Sequence, residues 1–565
     1  MKRKRVNDND NDYNYPNKRI RLINPSLLRN TIMDNMFMES FGNESVGDFD
    51  KFLMKMGDTF ENKVYNELKN KYQTINIADF PQSEHEKETL KAINSRIPII
   101  YQGYLVDQLE GLHGHPDLII RNDILRKIFK DIECIEDNDK YTIIDIKFSN
   151  LEFMKNKINL LNTNKTRAYK VQVYIYSKLL AKIQGYFPKY GYILGRGWKR
   201  QNTVSGKTVV ERSNDCFSKL GVIDFNEQDN FISEYTISII EKFRNYNIKE
   251  QYPNMTITEK CPKLQKMKYD IAEKNGEITL INGCSVVNRN IALSNGIKSF
   301  RDKRCNADAL GIKGKIKNTV DNIIRVNNMK ELIMYPDKIS NNLYKWKDIS
   351  QLELYVDFEI ISNVFMEDFK NISEAKVDSI IYLIGVGYYD GNNKWNYKSF
   401  TVDNLTEKSE RDIIFRFINF INEKSRELNS MYGTTKTNIK LFHWGHVEKS
   451  IFKAKKDKYN KRWNIDDNWV DFCNVLKKDS IAIKGCYNYS IKSIGKALYN
   501  LGLIRTDWKY EDGVLSTIMG IRRISEKANK ENKLISSVEE YSSILDYNEV
   551  DCKVLSEIVD FFRKC

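Results

Sequence analysis

The chain has 565 residues with 41% hydrophobic and 12% aromatic content, which predicts a globular protein of roughly three or four domains. Its formal net charge of +14 fits a polyanionic partner, although the abundance of Lys, Asn and Ile is also what low-GC coding produces. Its nine cysteines show no C-x-x-C spacing, which argues against disulfides and structural zinc or iron–sulfur sites. The most apolar run, 379–389, is too short to cross a bilayer, so we expect a soluble intracellular protein with no membrane partner.

The segment 1–40 is predicted to be a disordered basic tail. Two basic clusters, at 2–5 and 18–21, are separated by a polar spacer, as in a bipartite nuclear-import signal. A solvated basic tail that contacts nucleic acid explains the same pattern equally well.

The segment 45–250 is predicted to be an α/β domain. Apolar residues recur at helical spacing over 52–72 and again over 168–183. Short apolar, β-branched segments predict strands at 98–104, 118–121, 141–148 and 190–194. This mixed order implies a central sheet flanked by helices.

Two of these strands carry charge where a buried strand should carry none. Asp117 stands before one of them, and Asp145 and Lys147 stand two apart in the other. Asp145 and Lys147 therefore project from one face of the strand, while Ile144 and Ile146 point to the other. Burying such groups is unfavourable unless they are paired, and a divalent cation, a phosphate and a water would pair them together. The pattern predicts a phosphodiesterase site.

Two helices supply further polar residues of the same kind. Gln172 and Tyr176 are four residues apart and share a helix face, and Glu61 lies on the first helix. Paired carboxylates bind Mg²⁺, which activates a bound water, and Lys147 can orient that water or stabilise charge on the phosphate. Taken singly, each signal is also explained by an edge ion pair or by chance, but their joint order favours a catalytic site.

With Gly-x-x-Asp, Asp-x-Lys and Gln-x-x-x-Tyr in this order, residues 50–225 resemble the RecB-like branch of the PD-(D/E)xK nucleases. The resemblance implies a restriction-endonuclease-like fold and binding of Mg²⁺ or Mn²⁺. Some relatives carry a four-cysteine iron–sulfur cluster, but only Cys134 and Cys216 fall within this domain, so we expect no cluster. The resemblance implies Asp117 and Asp145 as metal ligands and Lys147 as the catalytic lysine. It also implies Glu61 as the catalytic helix acid, and Gln172 with Tyr176 as the family's additional catalytic motif.

The segment 255–345 is predicted to be a helical connector of short basic helices with Gly-Ile-Lys turns at Gly296 and Gly311. In 309–315, two glycines flank an apolar residue and a lysine. Backbone N–H groups there, with Lys313 and Lys315, could bind a nucleic-acid phosphate. A plain helix-ending turn explains the same pattern.

A second α/β domain is predicted over 350–565. Strands are expected at 352–359 and 380–389, with a hairpin turn at 390–391, and helices at 413–421 and 539–562.

The second domain repeats the acidic pattern of the first. Asp357 and Glu359 project from one strand face, and Tyr547 and Asp551 are four residues apart on the last helix. Three or four acids that converge on two metal ions, with a tyrosine to orient water, suit two-metal phosphodiester hydrolysis. This pattern resembles the DnaQ-like exonucleases of the RNase H fold, in the subgroup with a Tyr-x-x-x-Asp motif. The resemblance implies Asp357, Glu359 and Asp551 as metal ligands and Tyr547 as the water-positioning residue.

The middle motif of this family is altered. Where the family has Asn and, five residues later, Asp, this chain has His443 and then Glu448. Glu448 has one more methylene of reach and can still bind metal, or His446 can act instead. Lys492 lies in another family-like segment, and we assign it to nucleic-acid contact.

The full order of domains resembles predicted two-nuclease proteins of bacteria and some large DNA viruses. It implies a multidomain α/β protein that hydrolyses DNA or RNA with Mg²⁺ or Mn²⁺, as an exonuclease rather than an endonuclease. Its role would be in DNA processing, repair or degradation, in the nucleus or at a cytoplasmic viral replication site. One alternative is a non-catalytic nucleic-acid-binding scaffold. The other is a protein with one active site, in which the RNase H-like half only holds substrate.

Overall fold

The computed structural model describes residues 22–37, 48–130, 132, 137–156, 158–204, 207–246, 252–259, 261–362, 379–433, 437–460, 462, 469–509 and 513–565. They form two compact α/β units. The first comprises the described parts of Asp50–Gln251 with 22–37, and the second those of Tyr252–Glu367 and Val377–Cys565. The segment predicted as a connector thus packs with the second unit.

The elements of the first unit follow the predicted alternation of helices and strands. Its helices are α1 (Arg29–Ile32), α2 (Asp48–Lys69), α3 (His85–Asn94), α4 (Asn122–Ile128), α5 (Asn164–Gln184) and α6 (Ile232–Arg244). Its strands are β1 (Thr74–Asn76), β2 (Ile99–Tyr101), β3 (Leu105–Asp107), β4 (Leu112–Gly114), β5 (Leu118–Arg121), β6 (Tyr141–Phe153), β7 (Tyr190–Val204), β8 (Lys207–Ser213) and β9 (Gly221–Asp224).

The first unit is built on a seven-stranded sheet in the order β1-β2-β5-β6-β7-β8, with β9 also paired to β7. The pairs β1–β2 and β6–β7 are parallel, and the other pairs of this sheet are antiparallel. β3 and β4 form a separate antiparallel hairpin. Leu118 pairs with Ile144, so the two charged strands of the sequence are direct neighbours.

Helices cover both faces of this sheet, as predicted. Phe60 and Val64 of α2 pack with Ile144 and Ile146 on one face. On the other face, α5 packs with the neighbours of Asp145 in β6 and β7. α5 begins after Thr163, whose side chain accepts a hydrogen bond from the backbone N–H of Thr166. Asp145 therefore points to the α5 side of the sheet.

Residues 22–37 are packed, so the prediction of disorder over 1–40 is wrong for them. The N–H of Ile23 donates to the Gly111 carbonyl at 2.8 Å. Leu28 and Ile32 are buried in the same core as α5. These apolar side chains follow the second basic cluster, and the prediction gave more weight to the two clusters than to this apolar segment. The rest of the predicted tail, 1–21 and 38–40, lies outside the described residues.

The second unit begins with the connector and continues into a second sheet. Its helices are α7 (Pro262–Asn275), α8 (Val286–Ser294), α9 (Ile316–Asn328), α10 (Glu407–Tyr432), α11 (Val447–Tyr459), α12 (Phe472–Lys478), α13 (Ile491–Asn500), α14 (Gly513–Glu531) and α15 (Tyr541–Arg563). Its strands are β10 (Met334–Tyr335), β11 (Leu352–Ser362), β12 (Ser379–Tyr389), β13 (Trp395–Thr401), β14 (Ile439–His443), β15 (Trp469–Asp471) and β16 (Ala482–Ile483).

The main sheet of the second unit has five strands in the order β13-β12-β11-β14-β15. β11, β12 and β13 are antiparallel neighbours, whereas β14 is parallel to β11 and β15 is parallel to β14. The predicted hairpin between β12 and β13 is confirmed. α10 packs on one side with Leu354 and Val356, and α15 packs on the other with Tyr355. The central strand β11 therefore turns Asp357 and Glu359 toward α15.

The connector turns predicted at Gly296 and Gly311 are confirmed. Both glycines have left-handed backbone, with φ of 71° and 67°. In each turn the N–H of the following isoleucine donates to the carbonyl five residues earlier at 2.8 Å. The turn at Gly296 ends α8 in the way that favours glycine, whereas the turn at Gly311 follows residues in turn conformation. Within the described part of the chain, no helix is long and apolar enough to cross a membrane.

Candidate active sites

In the first unit, adjacent strands bring Asp117, Asp145 and Lys147 together. Lys147 Nζ lies 2.5 Å from Asp145 Oδ2, and the Asp145 side chain is fully buried. The backbone N–H of Ile146 donates to Asp117 Oδ2 at 2.7 Å, which ties Asp117 to the strand that carries Asp145. The two acids and the lysine that the sequence singled out form one cluster.

Glu61 reaches this cluster from α2 through a residue that the sequence analysis missed. Gln102 Nε2 contacts Glu61 Oε1 and lies 3.3 Å from Asp117 Oδ1, so one amide bridges the two carboxylates. The Tyr101 hydroxyl also donates to Glu61 Oε1, at 2.9 Å. Gln102 has a positive φ of 53°, which directs it off the end of β2. The signal available in the sequence was the position of Gln102, a polar residue directly after the apolar strand β2.

Burial and neighbouring negative charges raise the pKa values of both aspartates in this cluster. Burial, and then the Asp145 charge, raise the pKa of Asp117 to about 7. Burial also raises the pKa of Asp145, although Lys147 opposes it. Burial would lower the pKa of Lys147, but the two carboxylates outweigh it and raise that pKa. Lys147 therefore keeps its proton at neutral pH.

Gln172 and Tyr176 lie on α5, and Gln172 Nε2 donates to the Tyr176 hydroxyl at 3.2 Å. A Cβ on Gly114 would collide with the Tyr176 ring, so this glycine makes room for the tyrosine. Burial, and then Asp145, raise the pKa of Tyr176 far above its usual value. The phenol thus stays protonated beside the acids.

In the second unit, a strand and a distant helix bring three carboxylates to one point. Asp357 and Glu359 from β11 and Asp551 from α15 each offer an oxygen, and these atoms lie within 4.8 Å of one another. In the described part of the chain, the carboxylates of Glu61, Asp117 and Asp145 do not all offer oxygens within this distance of one another. The carboxylates of the second site therefore lie closer together than those of the first.

Burial and the charges of neighbouring carboxylates raise the pKa values of these three acids. Burial, and then Asp551, Glu359 and Glu448, raise the pKa of Asp357 well above its ordinary range. Burial and Asp551 raise the pKa of Glu359 to about 7. Burial raises the pKa of Asp551 to about 6 although a Trp508 hydrogen bond and Lys492 lower it. Buried, mutually repelling oxygen ligands fit Mg²⁺ or Mn²⁺, which would neutralise them.

Tyr547 and Lys492 lie beside the three carboxylates. Burial, and then Asp551, raise the pKa of Tyr547 far above its usual value, so the phenol remains a donor. Lys492 Nζ lies 4.9 Å from the centroid of the Tyr547 ring. Ser490 caps the start of α13, which carries Lys492. The lysine assigned to nucleic-acid contact is therefore next to the acids.

The altered middle motif places Glu448 toward the carboxylates. Its charge raises the pKa of both Asp357 and Asp551. His443 is fully buried, and its Nδ1 lies 3.3 Å from Glu448 Oε2. His446 is an exposed residue at the start of α11. The geometry favours Glu448 as the acid of this motif, held by His443, over His446.

Two donors to the second site were missed by the sequence analysis. Asn548 Nδ2 donates to Asp357 Oδ2 at 2.7 Å, and Trp508 Nε1 donates to Asp551 Oδ1 at 2.8 Å. Asn548 is three residues before Asp551 and so shares its helix face, a spacing that was available in the sequence. Trp508 comes from a distant loop and had no local signal.

Lys313 and Lys315 are exposed beside the start of α9. Their assignment to nucleic-acid binding remains a prediction. Cys134 lies outside the described residues, and Cys216 is a buried free thiol.

Comparison of the chain with models of known protein families gives no match, and comparison with curated proteins gives none.

Proposed function

We propose that the protein is a metal-dependent nuclease with two catalytic modules that hydrolyse phosphodiester bonds of DNA or RNA. The observation that carries the proposal is the convergence of Asp357, Glu359 and Asp551 within 4.8 Å. A fold tolerates three buried carboxylates at one point only when something compensates their repulsion. A divalent cation compensates it and brings hydrolytic chemistry.

The architecture supports the same proposal. A mixed five-stranded sheet whose central strand carries two acids, with a third acid on the packed C-terminal helix, agrees with an RNase H-like exonuclease. In the first unit, an acid before β5, the Asp-x-Lys of β6 and the Gln-x-x-x-Tyr of α5 agree with a RecB-like PD-(D/E)xK nuclease. The net charge of +14 suits a nucleic-acid substrate.

At the second site, Asp357, Glu359, Asp551 and Glu448 would hold one or two Mg²⁺ or Mn²⁺ ions. Such ions lower the pKa of a bound water and neutralise charge that builds on the phosphate. Tyr547 keeps its proton and can orient the attacking water by a hydrogen bond. The ammonium of Lys492, beside that ring, can bind a substrate phosphate.

At the first site, Asp117, Asp145 and Glu61 would hold the metal. Because the carboxylates raise the pKa of Lys147, this side chain is cationic at neutral pH. It therefore stabilises negative charge on the phosphate and does not act as a general base. Gln172 and Tyr176 keep the α5 side of the site in place and can donate to the substrate backbone.

The second candidate is a protein with one active site. Lys147 Nζ already lies 2.5 Å from Asp145, so an ion pair partly compensates the first cluster without metal. In the second cluster, three carboxylates converge within 4.8 Å. In this case the second unit alone would cleave. In the single-site alternative of the sequence analysis, by contrast, the first unit cleaves and the RNase H-like half only holds substrate.

The test is cleavage of end-labelled single-stranded and duplex DNA and RNA, and of circular DNA, with Mg²⁺ or Mn²⁺. We expect wild-type cleavage from free ends, partial loss with Asp145→Asn or Asp357→Asn, and complete loss with both. Complete loss of cleavage with Asp357→Asn, together with unchanged cleavage by Asp145→Asn, would support one active site in the second unit. Metal-dependent cleavage that neither substitution changes, or no cleavage by the wild type, would overturn the proposal in favour of a binding scaffold.

The basic clusters at 2–5 and 18–21 fit a nuclear or viral replication-site location. This location is also part of the proposal. Microscopy of the full chain, with and without these clusters, tests it.

A further inference from the structure

We propose that Asn548 is a positioning residue that holds Asp357 in the orientation needed to bind metal. This inference rests on the proposed function of the second site. It concerns a residue that neither the strand motif nor the Tyr-x-x-x-Asp pair includes.

The Asn548 side chain is fully buried and hydrogen-bonded at both ends. Its Nδ2 donates to Asp357 Oδ2 at 2.7 Å, and its Oδ1 accepts a hydrogen bond from the Tyr397 hydroxyl at 2.8 Å. The same Nδ2 lies 3.4 Å from the backbone carbonyl oxygen of Asp357. One amide thus links Asp357 to Tyr397.

Gly385 makes this arrangement sterically feasible. It pairs directly with Asp357 across the β11–β12 ladder. A Cβ at this position would collide with Asn548 Oδ1. The amide therefore occupies the volume that any other residue would fill, and its distance from Asp357 depends on this glycine.

The hydrogen-bond chemistry fixes which end of the amide faces the acid. The metal-binding form of Asp357 is the ionised carboxylate, which only accepts hydrogen bonds, so it must face the NH₂ group of Asn548. Oδ1 then faces Tyr397, and the phenol must donate. Burial raises the pKa of Tyr397 far above its usual value, so it has a proton to donate. Tyr397 thus sets the direction of the amide.

The consequence is that Asp357 presents one oxygen in a fixed direction. With Oδ2 held by Asn548, Oδ1 is the oxygen available to a cation. Outer partners of metal-binding carboxylates typically contribute 10- to 100-fold to metal affinity, because they orient the ligand before the metal arrives. We expect Asn548 to contribute within this range.

The experiment measures Mn²⁺ affinity by titration calorimetry and by electron paramagnetic resonance, in the full chain. All variants carry Asp145→Asn, which weakens binding at the first site. Asn548→Ala removes both hydrogen bonds, and Tyr397→Phe removes only the donor that directs the amide. The matched control is Tyr389→Phe, since the Tyr389 hydroxyl accepts from Lys553 and touches no carboxylate of the site.

We expect roughly 10- to 100-fold weaker Mn²⁺ binding with Asn548→Ala, a smaller loss with Tyr397→Phe and no change with Tyr389→Phe. In cleavage assays kcat should fall while KM for the nucleic acid changes little. Thermal melts without metal check that each variant folds. A purely structural role would lower the melting temperature but leave the Mn²⁺ affinity of the folded fraction unchanged.

The two failures are distinguishable. If the chain with Asp145→Asn binds no Mn²⁺, the proposed function of the second site is wrong. If it binds Mn²⁺ and Asn548→Ala binds equally well, the inference about Asn548 is wrong. Should Asn548→Ala not fold, an unchanged affinity in Tyr397→Phe overturns the inference instead.

Discussion

Trp508 donates its indole N–H to Asp551 Oδ1 at 2.8 Å, and both groups are buried. This hydrogen bond lowers the pKa of Asp551 against the effect of burial. The hydrogen bond favours the ionised carboxylate, whereas desolvation favours the protonated form. A loop residue therefore contributes to the pKa of a helix residue in the candidate metal site.

Replacing Trp508 by Phe should weaken Mn²⁺ binding roughly 10- to 100-fold at pH 6.5, because the pKa of Asp551 rises and a proton competes with the metal. The pH at half-maximal binding should move upward. Titrations over pH 5.5–8.5 measure this shift. The control is Trp346→Phe, which removes a hydrogen bond to a backbone carbonyl in the same unit and should leave the pH profile unchanged.

The stability of the metal-free protein should fall as the pH rises from about 4 to about 7. Folding raises the pKa of Glu359 to about 7 and of Asp551 to about 6, so the native state binds more protons than the unfolded state across this window. Mg²⁺ should therefore raise the melting temperature strongly at pH 7.5 and little at pH 5. Calorimetry with and without Mg²⁺ measures these melting temperatures. A melting temperature of the metal-free wild-type protein that rises with pH over this window would contradict the prediction.

Gly114→Ala should impair the first site by displacing the Tyr176 ring. Forcing a methyl group into a packed site costs about 1–3 kcal/mol of unfolding free energy. Because Tyr176 lies beside the acids, first-site cleavage should fall as well, measured in an Asp357→Asn background. Gly57→Ala is the matched control. A Cβ at Gly57 meets open space on α2, so this change should leave cleavage intact and stabilise the helix by about 0.5–1 kcal/mol.

Glu448→Gln and His446→Ala separate the two interpretations of the middle motif. Glu448 is buried and acts electrostatically on Asp357, so its loss should weaken Mn²⁺ binding by about tenfold or more. His446 is exposed, and its loss should change the affinity less than twofold. Binding that depends on His446 and not on Glu448 would reverse our assignment.

Local patterns in the sequence were sufficient to predict the parts of each site that lie on one element. Alternation along a strand placed Asp145 with Lys147 and Asp357 with Glu359, and helical spacing placed Tyr547 with Asp551. The backbone geometry of a strand or a helix alone determines which of its side chains share a face, so these pairs can be predicted without knowledge of the tertiary structure.

Contacts between distant segments could not be predicted in this way. Gln102 bridges Glu61 and Asp117 only because β2 ends beside α2, and Trp508 reaches Asp551 from a loop. Their roles depend on tertiary packing and carry no periodic signal. Residues 22–37 were misjudged for the same reason, since Ile23 and Leu28 are buried by partners far along the chain.

The pairing of β10 with β16 decides where the second unit can be cut. β10 belongs to the segment first taken for a connector, yet Met334 pairs with Ile483. The side chain of Asn322 also donates to the Ser480 carbonyl at 2.8 Å. A fragment starting at residue 350 would lose these partners and expose an apolar edge around Ala482 and Tyr487. The smallest piece of this half that can be expected to fold alone therefore starts near Tyr252, about a hundred residues before Asp357, its first candidate metal ligand.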